Sequence, residues 1–258
     1  MKKRVYLFIV LLLLLSISVY GGIIIESEDE GKVVKSFVQN NIIKSEDKDE
    51  GTIIDLNTGI ITFYNKNKKN YWSGTLKELD AEFDNIFGNA LEKSKKEILP
   101  KYYSVFEFNR FQEYDNEKIQ RKNKLFSSDR VSFEATNEKV KIAGYDSTKY
   151  IVKYGNQYVR NLWITNNRAY GKELEVEKLK AFFVNYYLVA DGKEMLDYLP
   201  DYINMLKDGI DMRVEKIQNN SFVITEEVKM LKEEEINNSE FILPIDFKFV
   251  SLIELYGL

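Results

Sequence analysis

The chain contains no histidine and no cysteine among its 258 residues. Without histidine there is no Ser-His-Asp triad and no imidazole base. Without cysteine there is no thiol nucleophile, no disulfide and no lipidated cysteine. Zinc sites built from nitrogen or sulfur ligands are excluded as well, so any metal would be a hard cation held by oxygen. Proline occurs only three times, and no low-complexity linker or solenoid-length repeat interrupts the chain. No basic stripe is present: 37 basic residues are interspersed with 41 acidic ones, for a net charge of −4. Nucleic-acid binding needs clustered Lys and Arg to neutralise phosphates, so no nucleic-acid partner is expected. There is no G-x-S-x-G elbow, phosphate loop or G-x-G-x-x-G.

Long apolar runs are scarce too, with one exception. Lys2, Lys3 and Arg4 precede the unbroken apolar run Val5 to Leu15, and Ser16, Ser18, Gly21 and Gly22 follow it. Charged end, short apolar middle and small residues make residues 1–22 a secretory signal peptide. The run is short for a bilayer span of ~20 residues. The alternative is an anchor that is kept. No later segment is apolar enough to cross a membrane. The expectation is therefore an exported protein of the periplasm or cell envelope, with residues 23–258 forming one domain.

What is abundant is aromatic: 14% of the chain, mostly Tyr and Phe. These residues favour pleated, half-buried surfaces. Ile142 to Thr165 displays the pattern. Tyr150, Val152 and Tyr154 alternate with Ile151 and Lys153, the period of a strand with one buried face. Gly155-Asn156 suits a two-residue hairpin turn, and Tyr158 to Thr165 returns with two mixed faces. Gly144 reads as a bend or bulge before Tyr145. Short apolar runs continue the pattern upstream at Ile23–Glu26, Val33–Val38, Ile42–Lys44, Thr52–Leu56 and Ile60–Tyr64, the last two joined by a three-residue loop ending at Gly59.

Helices interrupt the strands twice. Thr75-Leu76-Lys77-Glu78 is a capping box, and Leu76, Leu79, Phe83, Ile86 and Phe87 continue it as one stripe toward Pro100. A second amphipathic helix is expected from Glu173 to Val189, and a short third one carries Pro200 in its first turn, with Gly209 just past its end. A hairpin around Asn219-Asn220 and a last strand within Phe241 to Ile253 complete the chain. The order is strands, helix, strands, two helices, strands. No strand–helix alternation repeats, which argues for an α+β fold with an antiparallel sheet.

Three groups of residues carry a family likeness. Ile142-Ala143-Gly144-Tyr145, Lys149-Tyr150 and Leu162-Trp163-Ile164-Thr165 form the first. Thr52 to Tyr71 and Ser239-Glu240-Phe241-Ile242-Leu243-Pro244 are the others. Taken in chain order, over residues 50–250, they resemble bacterial exported proteins of the LolA-like superfamily, the outer-membrane lipoprotein-carrier-like proteins, and in particular an uncharacterised exported family within it. The chain departs from that family in having Asp146-Ser147-Thr148 where many members carry a cysteine, and Ile245-Asp246-Phe247 where Gly-Tyr is usual. The resemblance implies a strongly curved antiparallel sheet, a half-open barrel, with about three helices covering its concave face.

Two functions follow as expectations. The first is binding of an apolar ligand, a lipid or lipoprotein acyl chain, between sheet and helices. Its candidate wall residues are Phe83, Phe87, Tyr102, Tyr103, Phe106, Phe182, Phe183 and Tyr186, although core packing accounts for the same aromatics. Each buried methylene contributes ~0.8 kcal/mol, so a few give useful affinity. The second is an envelope structural or interaction module with a filled core, recognising another envelope protein. A carboxylate-based hydrolase needs two suitably spaced acids, and nothing in the sequence selects a pair. Neither catalysis nor a cofactor or metal is expected.

Overall fold

Asparagine and glycine pairs set the strand order. Asn40-Asn41, Ala143-Gly144 and Asn219-Asn220 all have positive φ at both positions. This is the primed turn, whose twist matches that of the strands it joins. Each pair closes an antiparallel hairpin in the computed structural model, which describes residues 21–29, 31–97, 130–166, 170–189, 199–205 and 209–257. The six N-terminal strands are β1 (Gly22–Asp29), β2 (Lys32–Gln39), β3 (Ile42–Glu46), β4 (Glu50–Asp55), β5 (Ile60–Asn65) and β6 (Asn70–Thr75). Helix α1 (Leu76–Glu97) follows, then β7 (Val131–Ile142), β8 (Tyr145–Tyr154) and β9 (Gln157–Thr165). Helices α2 (Tyr170–Glu173), α3 (Val176–Val189) and α4 (Pro200–Met205) precede β10 (Ile210–Gln218) and β11 (Ser221–Glu234). A 3-10 turn (Asn238–Phe241), β12 (Lys248–Phe249) and α5 (Leu252–Tyr256) end the order.

All twelve strands belong to one sheet, ordered β12-β6-β5-β4-β3-β2-β1-β11-β10-β9-β8-β7. Two meanders meet where β1 pairs with β11, and only the two-residue β12 runs parallel to its neighbour β6. The expected sheet-dominated α+β architecture is present. Among the described residues no helix is long and apolar enough to cross a membrane.

The main core gathers alternate residues of the first meander, including Ile23, Val38, Ile54, Ile61 and Trp72, against Leu79 of α1 and Leu179 and Phe182 of α3. Cross-strand register explains the choice: Ile23 lies opposite Val38, Val38 opposite Ile43, Ile43 opposite Ile54, and Ile54 opposite Ile61. A period of two keeps that row on one face. A second core gathers Val131, Val152, Leu162, Ile164 and Val214 beneath Leu199 and Tyr202 at α4. Strand β9 is buried on both sides. Leu162 and Ile164 belong to the second core, whereas Trp163, between them, belongs to the main one.

Several elements differ from the sequence reading. Ala143-Gly144 is a hairpin turn, not a bulge, because Ile142 pairs directly with Tyr145. The β4–β5 loop has four residues, not three: Asp55 pairs with Ile60, and its carboxylate accepts from the Asn57 N–H at 2.9 Å and the Thr58 hydroxyl at 2.8 Å. The helix expected from Glu173 begins instead at Val176, as α3, and Glu173 ends the separate short helix α2. The β2–β3 turn holds the break, since Asn41 N–H donates to the Glu173 carbonyl (2.7 Å) and the Asn41 side chain accepts from Glu175 N–H (2.6 Å). A Cβ at Gly209 would collide with the Thr165 carbonyl oxygen, and residues 206–208, between it and α4, lie outside the described residues. The C-terminal stretch supplies only β12 rather than a full strand. Pro244 has no N–H to give a ladder, and its carbonyl closes a turn with Phe247 N–H at 3.1 Å. Residues 1–20 of the expected signal peptide and the wall residues Tyr102, Tyr103 and Phe106 lie outside the described residues, while Gly22, the last residue of that expected segment, opens β1.

Candidate functional site: an apolar groove between two helices

The first turn of α1 is built by the capping box. Thr75 N–H donates to the Glu78 carboxylate at 2.7 Å, and Glu78 N–H donates back to the Thr75 hydroxyl at 3.3 Å. The Thr75 N–H, with its hydroxyl, holds the Glu78 carboxyl below the usual glutamate range. This anchors Leu76 at the sheet edge, directly after β6.

Helix α3 is fixed from the opposite side. Lys178 donates to Glu175 (2.8 Å) and to the Asn57 side-chain oxygen (3.1 Å). Asn41 donates to Glu175 at 2.9 Å, and Asn57 donates to the Asn40 carbonyl at 2.9 Å. The Lys178 and Asn41 contacts lower the Glu175 carboxyl from its ordinary range. Both ends of α3's first turn are thereby tied to loops of the first meander.

Between these two helices lies an open groove of about 730 Å³. Leu56, Leu76, Phe182 and Val189 supply apolar wall, and Ala181 leaves space where a larger side chain would fill it. Lys77, Asp80, Lys178 and Asn185 add polar groups to the lining. The volume lies within the ~300–1,000 Å³ range of small-molecule sites; Thr58 and Thr75 also line the groove, so its apolar wall alternates with polar and charged groups.

Of the eight candidate wall residues, Phe182 lines this groove. Phe183 and Tyr186 are partly buried beside it and pack with Phe182 as an aromatic trio, with centroids 5.7 Å and 6.1 Å from the Phe182 ring. Phe83 packs against the main core. Phe87 falls where only the backbone of α1 is described. Sequence reasoning missed Leu56, Ala181 and Val189. The helical stripe gives Val189 and Leu76 away, but nothing in the sequence brings the β4–β5 loop to α3.

The space beneath α4 is filled. Tyr202 meets Phe133 in a tilted ring pair with centroids 5.7 Å apart, the Arg160 guanidinium lies 5.0 Å from the Tyr202 ring, and the Tyr202 hydroxyl donates to Asp211 at 2.5 Å. Across β9, Trp163 is equally engaged. Its indole N–H donates to Glu215 at 2.7 Å, Asn161 donates to the same carboxylate at 3.1 Å, and Lys149 and Arg213 lie 5.7 and 5.8 Å from its rings. Arg213 in turn pairs with Glu227 at 2.6 Å. Trp163, Asn161, Glu215, Arg213 and Glu227 thus form one connected polar network on that side of β9. Among the described residues no group of three or more acidic side chains could hold a metal ion. No protein-family model matches the chain, and no curated protein matches it in sequence.

Proposed function

We propose that the protein is an exported envelope protein that takes an apolar ligand, a lipid or an acyl chain, in the groove between α1 and α3. The observation that carries this reading is the groove itself: about 730 Å³ of open space, walled by Leu56, Leu76, Phe182 and Val189. Burying each methylene there contributes ~0.8 kcal/mol, so binding needs no charged partner. The export component rests on the charged, apolar and small-residue order of residues 1–22. The curved, half-open barrel of the LolA-like resemblance belongs to the same proposal, with α1 and α3 as the cover that parts for the ligand. The protein acts by binding, not catalysis.

A second reading is an interaction module without ligand. It is favoured by one observation: from Arg160 onward β9 is buried on both sides, with Leu162 in one core and Trp163 in the other. Under that reading the groove is an unused seam.

Ala181→Trp separates the two. Ala181 is an exposed position of α3 that lines the groove, so the indole fills the space without disturbing the core. The expected result is that a fluorescent fatty acid binds the native protein, is displaced by palmitate and fails to bind the variant, whose melting temperature is unchanged. Native mass spectrometry should find copurified lipid on the native protein only. No probe binding to native protein and no copurified lipid would establish the second reading.

A further inference from the structure

The chain after β11 crosses the face of the first meander opposite the main core. Ile54 turns to that core, so its neighbours Ile53 and Asp55 turn to the opposite face, where Thr62 and Ile60 of β5 lie beside them. The crossing is fastened at both ends. At its start, Ile236 N–H donates to the Gln39 side chain at 2.9 Å, and Phe241 packs against Ile24, Phe37 and Ile236. At its end, Phe247 meets Tyr64 edge-on with centroids 6.1 Å apart, and Lys69 pairs with Asp246 at 2.7 Å. Between these fastenings Ile242 and Ile245 are exposed, and an open groove of about 560 Å³ separates this stretch from the sheet.

Strand register gives the groove a direction. Asp55 and Ile60 stand at one end, Ile53 and Thr62 in the middle, and Tyr71, beside Tyr64 and its partner Phe247, at the other. Tyr64 lies opposite Gly51, four residues before Asp55, a distance of about 13 Å at ~3.3 Å per residue. Among the described residues, Asp55 is the one charged side chain on the lining. Its carboxylate accepts from the Asn57 N–H and the Thr58 hydroxyl, both neutral, and pairs with no cation among the described residues. A carboxylate has about four acceptor sites, so capacity remains. Thr62 shares its hydroxyl with Ser73 at 2.8 Å, and Ile53, Leu243, Pro244 and Phe247 supply apolar wall.

We propose that this groove binds an amphiphilic amine, a single hydrocarbon chain ending in an ammonium group, with the ammonium at Asp55 and the chain directed toward Phe247. Charge complementarity selects the head, because one carboxylate without a cationic partner stands at one end of an otherwise neutral lining. The apolar wall beyond it selects the tail. A peptide strand fits less well. Strands β4 and β5 are each paired on both sides, so the floor offers side chains and no free backbone ladder. The site lies on the other face of the sheet from the main core and is distinct from the α1–α3 groove.

Calorimetric titration with decylamine, decanol and decanoate tests this, since the three share a tail and differ in the charge of the head. Native protein should bind decylamine about tenfold tighter than either of the others, the order expected of a charge-assisted hydrogen bond. Asp55→Asn keeps a side-chain oxygen for the Asn57 N–H and removes the charge. It should bring decylamine to within about twofold of decanol, with the melting temperature unchanged. Thr58 lines both grooves, and Ala181→Trp tells them apart: decylamine should bind this variant as it binds native protein. No binding of decylamine to native protein, or equal affinity for the three compounds, overturns the proposal whatever the variants do. Native affinity for decylamine in Asp55→Asn overturns it too. Loss of decylamine binding in Ala181→Trp does the same, because it places the amine between α1 and α3.

Discussion

Replacing Leu162 by alanine tests whether the sheet beneath α4 is a solid core. Leu162 is fully buried among Val152, Val214, Leu199 and Tyr202. The substitution removes three carbons, worth about 2.4 kcal/mol of transfer free energy at ~0.8 kcal/mol each. It also leaves a void, which adds about 24 cal/mol for each Å³ that does not collapse. Collapse is limited here. Strand β9 is held by β8 and β10 on either side, and Tyr202 is held by its ring contact with Phe133 and its hydrogen bond to Asp211. The expected total is about 3–4 kcal/mol, the middle of the range measured for buried Leu→Ala changes. For a domain of this size that corresponds to a melting-temperature loss on the order of 10 °C. Urea unfolding followed by tryptophan fluorescence reads the effect as a lower midpoint with unchanged slope. A loss below about 1 kcal/mol would refute the reasoning, because it would mean that the wall under α4 relaxes freely. A large void already occupied by ligand would give another signature: the variant would recover its stability on adding fatty acid.

Two further substitutions examine the polar ties. Glu46 is partly buried and accepts from the Tyr64 hydroxyl at 2.6 Å while pairing with Lys66 (3.1 Å) and Lys44 (3.2 Å). Burial alone would raise its carboxyl, but the hydrogen bonds from Tyr64 and Lys66 and the nearby Lys44 charge outweigh it and hold the group below the usual range. A depressed carboxyl contributes stability that is present above its unfolded value and lost as pH falls through the folded one. Glu46→Gln should therefore cost about 1 kcal/mol at neutral pH and nothing once the native carboxyl is protonated, and chemical denaturation across a pH series checks it. A pH-independent difference would show that the carboxylate charge is not the cause. Thr75→Ala removes the hydroxyl that receives Glu78 N–H, and it should cost about 1 kcal/mol. Hydrogen exchange should show the loss as faster exchange in the first turn of α1, with the β-sheet amides unchanged.

The sheet was legible in the sequence because its signals are local. Tyr150, Val152 and Tyr154 alternate, and Asn219-Asn220 and Gly155-Asn156 sit where two-residue turns belong, so strand identity and hairpin pairing could be read residue by residue. The capping box that begins α1 was equally plain, since both partners lie within four residues. Errors arose at two turns, Ala143-Gly144 and the β4–β5 loop, whose residues suit more than one turn type, and where another segment competes with local preference. The residues from Glu173 onward read as one continuous helix, yet Asn41, far away in sequence, takes the Glu173 carbonyl and the Glu175 N–H, so α3 starts only at Val176. The Phe241–Ile253 run has strand-forming residues, but Pro244 and its turn leave only Lys248 and Phe249 to pair with β6.

The candidate site divides along the same line. Aromatic abundance marked α3 as important, and Phe182 does line the groove. The other half of the wall, Leu56 and the adjoining loop, carries no sequence mark, because an apolar residue beside a turn is ordinary wherever it points. The absence of histidine and cysteine, the alternation in the strands and the cap on α1 belong to the sequence alone, since each depends on residue chemistry or on neighbours a few positions apart. Which apolar faces meet, and which remain open, was decided only by the tertiary structure. Burial is a property of two surfaces at once, so Trp163 became packed and Phe222 exposed according to what the fold set beside them.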